Sequence, residues 1–244
     1  ITRTRECFEW HNGPSVMMLD YDPQPTETPL SAEAFRNEII KTCPTSGDAP
    51  MIVMSSSSSY ICNTETGEEL IGARGLRLYL FVENGQDIPR AGSVLAKRLW
   101  LQGHGYYTVS KSGSLLERTL IDTSVWQPER LDFAAGAQCQ PPLQQRRPDL
   151  LTFNQNRGPI NTAFAIPDLD QKELDELVRI QNIKKRDVSS EQECVKASWV
   201  EERLSNTPRE QQSEMEGHLL QAIEDHTLYY DFPLQDKDGQ PMTV

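Results

Sequence analysis

Apolar and polar positions alternate most regularly along Leu76-Arg77-Leu78-Tyr79-Leu80-Phe81-Val82, which is bounded by Gly75 and by Asn84-Gly85. A period of two between turn residues predicts a strand. Val16-Met17-Met18-Leu19 is a continuous apolar run leading into Asp20-Tyr21-Asp22-Pro23, and it predicts a buried strand. Met51–Met54, Tyr106–Val109, Leu115–Ile121 and the short Leu131-Asp132-Phe133 read as further strands. Helical spacing runs from Ser31, a good N-cap, through Phe35, Ile39 and Ile40 to Cys43-Pro44. It returns from Asp87-Ile88-Pro89 through Leu95, Leu99 and Trp100 to Gly103, the expected C-cap. Strands alternating with helices over ~150 residues argue for an α/β or α+β domain with a central sheet.

From Asp168 the pattern changes. Leu174, Leu177, Val178 and Ile180–Ile183 are helix-spaced, as are Val195, Trp199, Val200 and Leu204, and then Met215, Leu219, Leu220 and Ile223. Three amphipathic helices predict a small helical appendage. The expected division is therefore a catalytic-type domain over 1–163 and an acidic helical region with a turn-rich tail over 164–244. Gln140–Pro148 reads as a loop leaving the sheet.

Composition narrows the class. With 37% apolar and 25% charged residues the chain is globular, and no apolar run approaches membrane-span length, so no membrane partner is expected. Five scattered cysteines without a Cys-x-x-Cys pair predict reduced thiols in the cytoplasm and no zinc site. The N-terminus has no apolar signal segment, and its start at Ile1 suggests a trimmed chain. The net charge of −12 is unevenly spread: residues 1–163 hold 15 basic and 18 acidic residues, and 164–244 hold 9 and 18. The acidity sits in the helical third, which leaves the N-terminal part able to carry a basic groove.

The chemistry concentrates at Asp20-x-Asp22. Residues two apart on a strand share a face, so both carboxylates fall on one side at the strand's end. Two such carboxylates repel and are costly to desolvate without a cation between them. Oxygen-only donors suit Mg²⁺ or Mn²⁺, with phosphate oxygens filling the shell. The plainer alternative is a strand that runs into an Asp-rich turn before Pro23.

Three pieces in this order resemble the archaeo-eukaryotic primases, and within them the primase–polymerase domains of phages, plasmids and mobile elements. They are the apolar strand ending in Asp20-x-Asp22; Gly75-Leu76-Arg77-Leu78-Tyr79-Leu80; and Leu120-Ile121-Asp122-Thr123-Ser124-Val125 followed by Pro128-Glu129-Arg130-Leu131. The resemblance covers roughly residues 1–150 and implies an α+β catalytic domain with a central, mostly antiparallel sheet flanked by helices. It implies nucleotidyl transfer from NTP or dNTP on a single-stranded DNA template, through two Mg²⁺ or Mn²⁺ ions about 4 Å apart. Asp20 and Asp22 would bridge the ions and Asp122 would complete the shell, with Glu117 as the runner-up for that third place. Arg77 stands where the family usually has a phosphate-contacting histidine; it keeps a donor and a permanent positive charge. Arg77, Lys111 and Arg130 would bind phosphates, and Arg146-Arg147 would touch the template backbone. Solvated lysine and arginine pairs are the ordinary alternative for the exposed ones. The Ser55–Ser59 run reads either as a phosphate-binding loop or as a polar linker. A helicase domain following the helical region is the expected protein partner. Two other classes stay open: a non-catalytic replication-initiation module binding DNA or a helicase, and another Asp-x-Asp metal-dependent transferase.

Overall fold

The computed structural model describes residues 3, 4, 6–24, 27–205 and 208–225, and the backbone of 234–235 and 241–242. It is a mixed α+β protein with antiparallel sheets. In chain order the elements are β1 (Ser15–Tyr21), α1 (Ala32–Thr42), β2 (Met51–Ser55), β3 (Ile61–Asn63), β4 (Glu69–Ile71), β5 (Leu76–Val82), α2 (Ile88–Leu99), β6 (Tyr106–Val109), β7 (Leu115–Arg118), β8 (Leu143–Gln145), β9 (Leu151–Phe153), α3 (Thr162–Ala165), α4 (Gln171–Asp187), α5 (Ser189–Leu204) and α6 (Gln212–Asp225). Short backbone pairing also joins Leu234–Gln235 to Pro241–Met242. None of the helices among the described residues is long and apolar enough to cross a membrane.

The chain divides into two compact units, residues 1–105 with 119–178 and residues 106–118 with 179–244. The division falls inside α4, and it assigns the hairpin of β6 and β7 to the second unit.

The first unit is built on a four-stranded antiparallel sheet in the order β1-β5-β2-β9. Alternation along β1, β5 and β2 sends Met17, Leu19, Tyr21, Leu76, Leu78, Leu80, Val82, Met51 and Val53 to one face. There they pack with Phe35 and Ile39 of α1 and Ile88, Ala91, Leu95 and Leu99 of α2. The other face carries Asp20, Arg77 and Met54 in one cross-strand row and Met18, Tyr79 and Ile52 in the next. Ser31 caps α1 by accepting from Ala34 N at 3.1 Å, as its position predicts. α2 ends four residues before the expected glycine; a π-helical turn over Trp100–His104 follows, with Gly103 at φ 90. A second, three-stranded sheet, β4-β3-β8, lies in the same unit.

Leu115–Ile121 is strand only as far as Arg118, and Leu131–Phe133 is not a strand. In the second unit, β6 and β7 form a hairpin, and Val200, Leu219, Ala222 and Ile223 make a small core between α5 and α6. Ser114 Oγ donates to Ile223 O at 3.3 Å, and Gln192 Nε2 donates to Gly113 O at 3.0 Å, so the hairpin is tied to these helices. Within the Lys184-Lys185-Arg186 cluster, Lys185 lies over the Tyr107 ring, 5.6 Å from its centroid.

The start of α2 is held to α3 through one carboxylate. Asp87 accepts from Arg90 Nε at 2.6 Å and Nη2 at 2.7 Å, and Thr162 Oγ1 donates to it as well. Arg90 in turn donates to Ile166 O at 3.1 Å. The Arg90 guanidinium, helped by Thr162 and opposed by burial, holds the Asp87 carboxyl below its ordinary range. A depressed folded-state value contributes stability above the unfolded value and loses it as pH falls through the depressed one. Asp87→Asn is therefore expected to lower Tm at pH 7. In thermal melts at successive pH values, its difference from the parent should shrink below about pH 4, the ordinary carboxylate range.

Candidate functional site

β1 is an edge strand, and its outward carbonyls need donors. Trp126 Nε1 donates to Met18 O at 2.9 Å, and Asp122 N donates to Asp20 O at 2.8 Å. The Trp126 ring lies against α2 where Gly92 leaves room; a Cβ there would come within 2.2 Å of the indole. Trp10 Nε1 donates to Trp126 O at 3.2 Å. These contacts fix the Ile121–Trp126 segment along the edge of β1 and bring Asp122 beside Asp20.

The middle residue of the Asp-x-Asp run is structural. Tyr21 points into the core, stacks on Phe35 at 5.2 Å, and accepts from Leu30 N at 3.1 Å through its hydroxyl. Its neighbours Asp20 and Asp22 are turned to the other face. Asp22 rests against the backbone of Gly75: a Cβ on that glycine would lie 2.5 Å from Asp22 Oδ1 and 2.8 Å from Tyr21 O.

Arg77 stands directly across from Asp20 in the β1–β5 register. Its Nε lies 3.5 Å from Asp20 Oδ1, an ion-pair distance longer than a good hydrogen bond, and Nε is buried without a hydrogen-bond partner. Its Nη1 donates to Asp132 Oδ1 at 2.8 Å and to Phe133 O at 2.6 Å. Tyr79 Oη donates to Asp132 Oδ2 at 2.7 Å. The Arg77 side chain is 12% exposed. Burial raises the Asp20 carboxyl above its ordinary range; Arg77 opposes this, while Asp22 and then Asp122 push it further up. Burial, with the Asp132 carboxylate, likewise pushes the Tyr79 hydroxyl upward.

Asp20, Asp22 and Asp122 thus come within electrostatic reach, yet they are not gathered into a ready three-carboxylate cage. Among the described residues no group of three His, Cys, Asp or Glu side chains is placed to hold a metal. The reason is local: Asp122 Oδ1 accepts from Ser124 N at 2.8 Å and Oδ2 from Ser124 Oγ at 3.0 Å, capping a 3-10 turn over Thr123–Val125. The donor chemistry still suits a hard divalent cation. Mg²⁺ is commonly held by one or two carboxylates with substrate phosphates completing its shell, and Asp20 with Asp22 supply such a pair.

The other expected residues are placed as follows. Arg130 is exposed, near Asp132 in sequence. Lys111 is exposed on the β6–β7 turn and Glu117 on β7, where it accepts from Gln181 Nε2 at 3.3 Å; both belong to the second unit. Arg147 Nη1 donates to Ser55 O at 3.2 Å, and Arg146 Nε to Gln144 Oε1 at 3.1 Å. The serine run is neither a linker nor an open loop. It makes a tight turn in which Ser56 and Ser59 share a hydroxyl hydrogen bond of 2.9 Å and Ser59 Oγ accepts from Arg74 N at 3.2 Å. Sequence reading missed Asp132 and Tyr79. The signal was the Leu131-Asp132-Phe133 alternation, which puts a lone acid between two apolar residues.

Beside Gly75 a cavity of about 290 Å³ opens, lined by Leu30, Met54, Tyr60, Arg74, Leu76 and Leu151 among others. Comparison of the chain with protein-family models, with curated proteins and with solved structures returns no match.

Gly75→Ala is expected to displace the Asp22 carboxylate, since the added methyl meets a backbone oxygen that cannot turn away. Overpacking of this kind costs about 1–3 kcal/mol, measurable as a fall in the urea midpoint.

Proposed function

We propose that the first unit carries out metal-dependent nucleotidyl transfer from nucleoside triphosphates on a single-stranded DNA template, the activity of a primase or primase–polymerase. One observation carries the reading: Asp20, Asp22 and Arg77 share a sheet face at the end of β1, with Asp122 bonded to the backbone of Asp20. The order of these residues along the chain is the order in the family that the sequence resembles.

In this reading Asp20 and Asp22 would hold Mg²⁺ or Mn²⁺, which would supply activation of the attacking 3′-hydroxyl and charge stabilisation for the leaving pyrophosphate. Arg77 Nη1 is engaged by Asp132 and Phe133, and in this reading the guanidinium they hold in place contacts a phosphate oxygen. Asp122, through its backbone N–H, keeps the Asp20 main chain in place, and its carboxylate joins the site by releasing Ser124.

A second reading is favoured by that same Ser124 capping: a non-catalytic DNA- or helicase-binding module of replication initiation, in which Asp122 serves only the turn. Labelled NTP and dNTP incorporation on single-stranded DNA, with Mn²⁺ or Mg²⁺ and with or without a primer, separates the two. Incorporation by the parent that falls to background in Asp20→Asn and Asp22→Asn supports transfer. Template binding without any incorporation supports the second.

Arg77 has its own test. Arg77→Ala is expected to weaken binding of a fluorescent triphosphate by roughly ten- to a hundredfold, the range for losing a hydrogen bond to a charged group. Arg77→His, which keeps a donor, should stay within roughly tenfold of the parent, a difference of about 1.4 kcal/mol. Equal binding by Arg77→Ala and the parent would make the arginine purely structural.

A further inference from the structure

We infer that Phe133 is a stacking platform for an unpaired base of the single strand on which the proposed reaction runs; the inference rests on that functional reading. Leu131-Asp132-Phe133 is irregular backbone, yet it is pinned at its centre. Asp132 uses both carboxylate oxygens, one on Arg77 Nη1 at 2.8 Å and one on Tyr79 Oη at 2.7 Å. The Phe133 carbonyl accepts from the same Nη1 at 2.6 Å. Arg77 and Tyr79 both rise from β5, on the sheet face that carries Asp20. The segment is therefore anchored on the candidate site itself.

What the anchor presents is apolar. Phe133 is 63% exposed and Leu131 is 48% exposed, on either side of Asp132. Single exposed apolar residues are ordinary on protein surfaces. This residue differs because its backbone is already held by an arginine in the site, so less backbone ordering is left for a ligand to impose. An exposed aromatic side chain whose carbonyl is held by the Arg77 guanidinium of the candidate site offers a π face to an unpaired base of the strand. In a duplex both faces of each base are already stacked, so the ligand class is single-stranded nucleic acid. Stacking on one ring needs no particular base, so the contact is expected to tolerate sequence.

The test compares the parent with Phe133→Ala, Phe133→Leu and Phe133→Tyr by fluorescence anisotropy with labelled oligothymidylate. Each variant's thermal midpoint is checked, and should be unchanged because the side chain is exposed. Ala and Leu should each weaken binding about tenfold while Tyr stays near the parent, as aromatic stacking on one base requires. Asp132→Ala, which frees the segment, should weaken binding in the same direction. No binding by the parent, binding by Phe133→Ala within twofold of it, or full binding by Phe133→Leu would overturn the inference. Triphosphate binding with Mn²⁺ is measured on the same proteins. If the parent binds nucleotide and Phe133→Ala binds the oligomer unchanged, the platform alone is wrong. If the parent binds the oligomer through Phe133 but no nucleotide, the transfer reading is wrong.

Discussion

The exposed edge of β1 is the constraint from which the site follows. An edge strand in a buried setting must find donors for its outward carbonyls, and here a tryptophan ring and a backbone amide from one distant segment supply them. That segment is long-range in sequence, so its docking closes a loop of about a hundred residues. The return comes from burying Ile121, Val125 and Trp126 in the main core. Asp122 reaches Asp20 because the edge needed a partner. The juxtaposition of acids is a by-product of sheet satisfaction as much as of chemistry.

Charge on the open face is organised around one guanidinium. Asp20 and Asp132 approach Arg77 from two sides, and Tyr79 shares the second of them. A half-buried cation between two carboxylates avoids an uncompensated charge, and it also restricts how the side chain can move. The raised Asp20 carboxyl shows that this compensation is incomplete, because burial and two neighbouring acids outweigh one arginine. Perturbed carboxylates of this kind cluster at functional sites and arise in structural ion-pair networks as well.

Much of the first unit was legible because its central elements are long and regular. β5 alternates without a break over seven residues, β1 announces itself by an apolar run, and α1 and α2 carry both period and caps. β3, β4, β8 and β9 are each three residues long, too short for any period to show, and they are strands only because partners lie beside them. Leu131–Phe133 erred in the opposite direction. It has strand alternation but no strand to pair with, and Arg77 takes the Phe133 carbonyl instead. In the site, Asp20, Asp22 and Arg77 could be placed from strand parity. The engagement of Asp122 by Ser124 could not, since a carboxylate two residues before a serine reads equally as ligand or cap.

The hairpin of β6 and β7 carries a topological consequence. It is encoded in the middle of the first unit yet packs with helices encoded near the end of the described chain, so the backbone passes between the units three times. The helical part is therefore not a cassette appended at one joint. A gene rearrangement that exchanged everything after α4 would strand the hairpin without its helices. In inheritance the two units are bound to travel together, each carrying a piece of the other's reading frame.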